Sequence, residues 1–229
     1  MILLGSSIFA EYTRTTLFSE EFSNNKELKG WTDLWSNNNR AYPKKDYFTV
    51  ITGSGETYFH IAGTLGVTRK LDKPVIIDEA LVEIDFQVTL RKKNPDSAAL
   101  LHIALTSLLL PSNTDGGPFF KNCDGFEAAG YQYDNQNNFI AAISNGRCVQ
   151  MPPPVQPFNL LVDTSKWYVW RLVYNNVEKT LSFYRDFAKD KNPCIVQHEV
   201  NLQGGTINSV WLGAFGIDYS KVTVSVERK

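Results

Sequence analysis

Between Leu81 and Leu90 apolar and polar residues alternate without a break. Val82, Ile84, Phe86, Val88 and Leu90 fall on one side, and Glu83, Asp85, Gln87 and Thr89 on the other. A period of two belongs to a β-strand with one face in a core and the other toward water or a ligand. Comparable runs recur about every 8–15 residues, parted by Gly, Asn, Asp and Pro, and no long segment keeps a helical period. The pattern predicts an all-β sandwich or barrel with antiparallel sheets.

A second segment, Phe126 to Ser144, reads as a hairpin. Asp134-Asn135-Gln136-Asn137 is a turn cluster, which sets Tyr133 opposite Asn138, Tyr131 opposite Ile140 and Ala129 opposite Ala142. Phe126, Ala128, Phe139, Ala141 and Ile143 then share the core face. Glu127, Tyr131, Tyr133, Asn138, Ile140 and Ser144 share an amphipathic one. The same register carried outward brings Cys123 opposite Cys148, within reach of a disulfide after modest adjustment.

A third hairpin runs from Trp167 through a turn at Asn175-Asn176 and back along Thr180 to Asp186. The closing strands are Ser209 to Phe215 and Val222 to Glu227. Ala98 to Leu105 is apolar on both faces, as in a sheet covered on two sides, and His102 within it reads as a hydrogen-bonded buried histidine. The proline-rich Met151 to Pro157 is a rigid excursion within one domain spanning residues 1–229, and Gly53-Ser54-Gly55 is a turn.

Three of these stretches carry a resemblance. Leu17-Phe18-Ser19-Glu20-Glu21-Phe22 followed by Gly30-Trp31 looks like the opening of laminin-G-like jelly rolls. The Trp-Tyr-x-Trp-Arg-Leu-x-Tyr hairpin and Trp211-Leu212-Gly213-Ala214-Phe215 resemble their last strands. The layout resembles the concanavalin A-like lectin/glucanase superfamily, which implies a two-sheet jelly roll. Its members include sugar-binding modules, glycosidases, polysaccharide lyases and adhesion domains, so the resemblance does not choose among them.

Composition narrows the choice. Lys and Arg number 23 against 24 Asp and Glu, and the one basic run is Arg91-Lys92-Lys93, so no cationic stripe is set out for nucleic acid. No apolar stretch reaches the roughly 20 residues of a membrane span. The apolar start, with Ala10 before Glu11, reads either as a signal-peptide remnant over residues 1–10 without its basic end, or as a first strand from Ile8 to Tyr12. The signal reading and the Cys123–Cys148 pair point to a secreted or extracellular protein, with Cys194 as the odd thiol.

Candidate chemistry follows. Glu83-Ile84-Asp85-Phe86 matches the first two acids of the Glu-x-Asp-x-x-Glu signature of the superfamily's β-glucan hydrolases, but Val88 stands where the third acid belongs. A pair at i, i+2 holds its carboxylates only about 6–7 Å apart. A lyase would need a uronate-neutralising cation beside a base, and Tyr131-Gln132-Tyr133 has no neighbouring Lys or Arg. Sugar binding suits the residues better, because aromatic rings cover C–H faces while amides and carboxylates meet hydroxyls. The expected partner is therefore a glycan or polysaccharide, on Glu83, Asp85, Gln87, Glu127, Tyr131, Tyr133 and Asn138 lining one concave surface. Trp31 and Trp35 are added as platforms; a lyase or glycosidase on the same fold is the alternative. No metal or cofactor is expected. Calcium on the oxygens of Asp134 to Asn138 is the one exception to consider, although turn formation explains that cluster without it.

Overall fold

The alternating segment becomes the long strand at the middle of the larger sheet. The computed structural model describes residues 12–33, 48–62, 66–92, 99–107, 125–132, 142–143, 166–202 and 205–229. In chain order the strands are β1 (Thr13–Glu21), β2 (Trp31–Asp33), β3 (Phe48–Gly53), β4 (Glu56–Ile61), β5 (Val67–Ile76), β6 (Leu81–Lys92) and β7 (Ala99–Thr106). They continue with β8 (Gly125–Gln132), β9 (Ala142–Ile143), β10 (Tyr168–Asn175), β11 (Thr180–Tyr184), β12 (Ile195–Gln197), β13 (Thr206–Phe215) and β14 (Ile217–Arg228). No helix occurs among the described residues.

Two antiparallel sheets result. The eight-stranded sheet runs β12-β11-β10-β6-β14-β4-β3, with β1 on the remaining length of β14; the six-stranded sheet runs β2-β5-β13-β7-β8-β9. The even residues of β6 from Ile84 to Leu90 enter the shared core with Trp170, Leu172 and Tyr174 of β10 and Val222, Val224 and Val226 of β14. Leu101, Ile103, Leu105, Phe126 and Leu212 meet them from the six-stranded sheet. Parity fails at one end only. A bulge in β6 at Val82, between the pairs Glu227↔Glu83 and Arg228↔Leu81, shifts the register by one, so Leu81 is buried and Val82 half-buried.

Turn chemistry fixes the registers. Ser54 and Gly55 both have positive φ (53° and 81°), the two-residue turn whose twist suits a hairpin, and it joins β3 to β4. At the β10–β11 turn the Asn175 side chain accepts from the backbone N–H of Val177 and Glu178, while Asn176 Nδ2 donates to the carbonyls of Asp78 and Leu81. That turn is thereby tied to the start of β6, and β10 pairs with β6 from Tyr168↔Leu90 to Asn175↔Glu83. Gly125 (φ 144°) opens β8 where a Cβ would run into the Leu105 carbonyl. The hairpin register expected for β8 and β9 is observed, with Ala129 opposite Ala142.

Polar ties cross the core. Tyr219 Oη of β14 donates to the Gly213 carbonyl of β13, and burial pushes the Tyr219 phenol well above its ordinary range. Arg69 of β5 meets Glu20 of β1 at the margin, where Glu20 also accepts from Trp31 Nε1 at 3.3 Å.

Candidate functional site

The odd residues of β6 point out of the eight-stranded sheet, away from the core, and there they meet cations from the neighbouring β10 and, across β14, from β1. Arg171 on β10 lies opposite Gln87. Its guanidinium forks onto Asp85, Nε to Oδ1 at 2.8 Å and Nη2 to Oδ2 at 3.0 Å, the bidentate geometry that makes such pairs strong. Arg14 of β1 donates to the same Oδ2, and Gln87 Nε2 lies 3.1–3.2 Å from both oxygens. Asp85 is buried and its acceptor capacity is taken up. Glu83 is not engaged in this way: it stands 3.5 Å from Arg14 and 3.7 Å from Arg171 with its side chain 21% exposed. Burial raises the Glu83 pKa, with Asp85 and Glu227 adding to the rise and Arg14 and Arg171 opposing it. The half-buried rings of Phe187 and Tyr184 pack on Arg171, with centroids 4.2 and 5.3 Å from its Cζ.

Further along the same face a second cluster forms. Arg91, two residues beyond Thr89 on β6, donates through Nε to Asp218 Oδ2 at 3.0 Å and through Nη1 to Glu56 Oε2 at 2.8 Å. Asp218 is fully buried and its other oxygen lies 2.6 Å from His60 Nδ1. The rings of Trp167 and Tyr58 pack on Arg91 at 4.3 and 4.6 Å, and Trp167 Nε1 donates to Glu56 at 3.4 Å. Each arginine here holds its place because a buried carboxylate and two rings fix the guanidinium plane.

Structure comparison places this architecture. The carbohydrate recognition domain of Emp46p in its metal-free form matches with a TM-score of 0.52 and 14% identity, over 93% of this chain and 95% of that one. Arcelin-5, a lectin-like defence protein of Phaseolus vulgaris, matches with a TM-score of 0.54 and 11% identity over 95% and 100%. The lectin of Bauhinia forficata in complex with GalNAc gives 0.52 and 8% over 94% and 99%. The fold is the concanavalin A-like lectin jelly roll. No family model matches the sequence, and no curated protein matches it.

The jelly roll corrects the single concave surface expected from the sequence. Glu83, Asp85 and Gln87 belong to the eight-stranded sheet and Glu127 and Tyr131 to the six-stranded one, so the two groups lie on different sheets. Parity was read correctly from Glu83 to Leu90 and from Phe126 to Ala128; which sheet each strand joins was not visible in it. Glu127 is buried on the side of β8 opposite Phe126 and Ala128, with Oε2 2.5 Å from His102 Nε2, and its Oε1 has no hydrogen-bond partner among the described residues. Trp211 stands beside this pair, its ring 5.9 Å from the imidazole. Tyr131 lies opposite Leu100 in the same sheet.

Trp31 is a second correction. It is not a loop platform: it opens β2 opposite Arg69, and its ring sits in the core, 5.6 Å from Phe22 and 6.3 Å from Phe18. Trp35, Tyr133, Asn138, the Asp134 to Asn137 turn, Cys123, Cys148, residues 1–11 and the Met151 to Pro157 run lie outside the described residues. Cys194 is an exposed free thiol. Among the described residues no group of three His, Cys, Asp or Glu side chains is arranged to hold a metal, and no helix is long and apolar enough to cross a membrane. The sequence assigned no part in a site to Arg14, Arg171, Arg91 or Trp167. The parity of Arg171, between the inward Trp170 and Leu172, was the one available signal.

Proposed function

We propose that this chain is a glycan-binding, lectin-like module that takes its ligand on the outer face of the eight-stranded sheet. One observation carries the reading: on a face turned away from the core, the hydrogen-bonding groups of Glu83, Gln87 and Arg171 stand beside the half-buried rings of Tyr184 and Phe187. Rings cover the apolar face of a sugar while carboxylate, amide and guanidinium groups meet its hydroxyls. Kinship in fold with the Emp46p carbohydrate recognition domain, and with a lectin in complex with GalNAc, supports the ligand class. Asp85 acts as the anchor that holds Arg171 in place.

Binding is favoured over hydrolysis. A glycosidase needs one carboxyl as acid and a second free as base or nucleophile. Glu83, with its raised pKa, would suit the first role, but the Asp85 oxygens are committed to Arg171 and Arg14. A polysaccharide partner outside the cell or in a secretory lumen fits this reading.

A second reading rests on Glu127, whose buried Oε1 lacks a partner among the described residues. In it the ligand lies on the six-stranded side with Tyr131, Tyr133 and Asn138, Trp35 supplies a platform, and an ion can sit on the oxygens of Asp134 to Asn138. The Emp46p domain, which also occurs in a potassium-bound form, supports testing for an ion. A glycan array on the parent, Gln87→Ala, and the pair Tyr131→Ala with Tyr133→Ala separates the two sides. Loss of signal in Gln87→Ala alone is expected; loss only in the tyrosine variants moves the site to the six-stranded sheet. Steady turnover of any polymer, read by reducing ends or unsaturated products, would replace the binding reading with an enzymatic one.

A further inference from the structure

The outer face of the eight-stranded sheet carries one arrangement twice. Asp85 with Arg171 and Asp218 with Arg91 are each a buried carboxylate hydrogen-bonded to a guanidinium. Each guanidinium packs on two rings, Tyr184 and Phe187 in the first case and Tyr58 and Trp167 in the second. Each has a less buried glutamate beside it, Glu83 at 3.7 Å and Glu56 at 2.8 Å. Arg171 lies opposite Gln87, and Arg91 is four residues further along β6. At about 3.4 Å per residue the two stations are roughly 13–14 Å apart, more than one sugar ring covers. The Phe187 backbone continues toward the second station, its N–H donating to the Val169 carbonyl at 2.8 Å, while its ring stays on Arg171.

Charge narrows the ligand further. Arg171 and Arg14 face Asp85, Glu83 and Glu227; Arg91 faces Asp218 and Glu56, with His60 on Asp218. Two guanidinium groups and the ammonium of Lys191, 3.8 Å from the Phe187 centroid, stand against three carboxylates, then one guanidinium against two, so among the described residues neither station carries an excess of positive charge to neutralise a uronate or a sulfate.

We infer that this face binds a neutral oligosaccharide chain of roughly three or more units, laid from Arg171 to Arg91 across both stations, and does not select a single terminal sugar or an acidic polysaccharide. The inference rests on the glycan-binding reading above and specifies its ligand. The two fail differently under one experiment. Calorimetric titration uses neutral gluco-, manno- and galacto-oligosaccharides from monosaccharide to hexasaccharide, with alginate and heparin as acidic probes. Affinity is expected to rise at least tenfold from monosaccharide to the longer chains. Trp167→Ala should remove about three- to tenfold of the hexasaccharide affinity while leaving any monosaccharide affinity unchanged. Phe187→Ala, at the Arg171 station, should weaken the hexasaccharide by a similar factor together with any monosaccharide held on that ring, and a melting curve of each variant confirms that it is folded. A monosaccharide that binds as tightly as the hexasaccharide, or a preference for alginate or heparin, overturns the two-station inference and leaves glycan binding standing. Absence of binding to every probe overturns both.

Discussion

Replacing Asp85 by Asn tests whether the outer face is held by its ion pairs. The substitution keeps the shape of the side chain and removes the charge that Arg171 and Arg14 share. Stripping one partner from a buried pair costs about 3–5 kcal/mol, because the other charge is left in a poor solvent. Two features lower that figure here. Arg171 keeps 13% of its side-chain surface and Arg14 47%, and Glu83 stands close enough to both to take over part of the pairing. The expected loss is therefore about 2–3 kcal/mol, or roughly 5–10 °C in melting temperature for a chain of this size. Arg14→Ala, on the more exposed partner, should cost less than about 1 kcal/mol. Urea denaturation of Asp85→Asn, Arg171→Gln and the double variant closes a cycle in which a coupling of about 1–3 kcal/mol is expected. Effects that add to within about 0.5 kcal/mol would show that the fork contributes nothing beyond its separate parts, and Asp85 would lose its role as anchor.

Trp31→Ala should cost about 3–5 kcal/mol and leave glycan affinity intact in whatever fraction folds, since the ring is enclosed by Phe18 and Phe22; a stable variant with weakened binding would restore the platform role. Glu83 supplies a pH signature. Its pKa is raised by burial, so its contribution to stability is full below the ordinary carboxylate value of 4.5 and is lost as pH rises through the raised value. Glu83→Gln should flatten the stability curve over that interval, and a curve parallel to the parent's would contradict the assignment. Mass spectrometry of non-reduced peptides should find Cys123 joined to Cys148 and Cys194 free; a link from Cys194 to either would break the hairpin register carried outward from Ala129 and Ala142.

The fold was legible because parity is a local property. Alternation at β6, the clusters at Asn175-Asn176 and Gly53-Ser54-Gly55, and the Val222, Val224, Val226 stripe each report on residues a few positions apart. Sheet membership is not local. Nothing in Leu81 to Leu90 or in Phe126 to Gln132 says that the first strand joins β10 and β14 while the second joins β7 and β9. The site depended on that missing information: the partners of Asp85 are 71 and 86 residues away in the chain. Trp31 misled for a related reason. Its neighbours in sequence are polar, whereas its neighbours in space, Phe18, Phe22 and the aliphatic part of the core, come from β1 and beyond.

The apolar run at β7 separates the two outer faces. Leu101, Ile103 and Leu105 enter the inter-sheet core, yet His102, Ala104 and Thr106 on the opposite side are buried as well. Their row neighbours Thr68, Ser209, Trp211 and Glu127 are equally shielded, so this sheet is covered on both sides across these rows. A polar group there must find its partner within the protein, as His102 does in Glu127. On the eight-stranded sheet the same accounting ends differently. Gln87, Thr89, Val169 and Thr223 are half-buried, and Thr16, Ser19 and Lys221 around them are exposed. Hydroxyl-rich ligands compete with water for hydrogen bonds, and a face whose charges are already paired gives up little solvation when a sugar replaces that water. In the reading proposed here, pairing Asp85 with Arg171 and Asp218 with Arg91 prepares the open sheet for a ligand that brings hydroxyls and no charge.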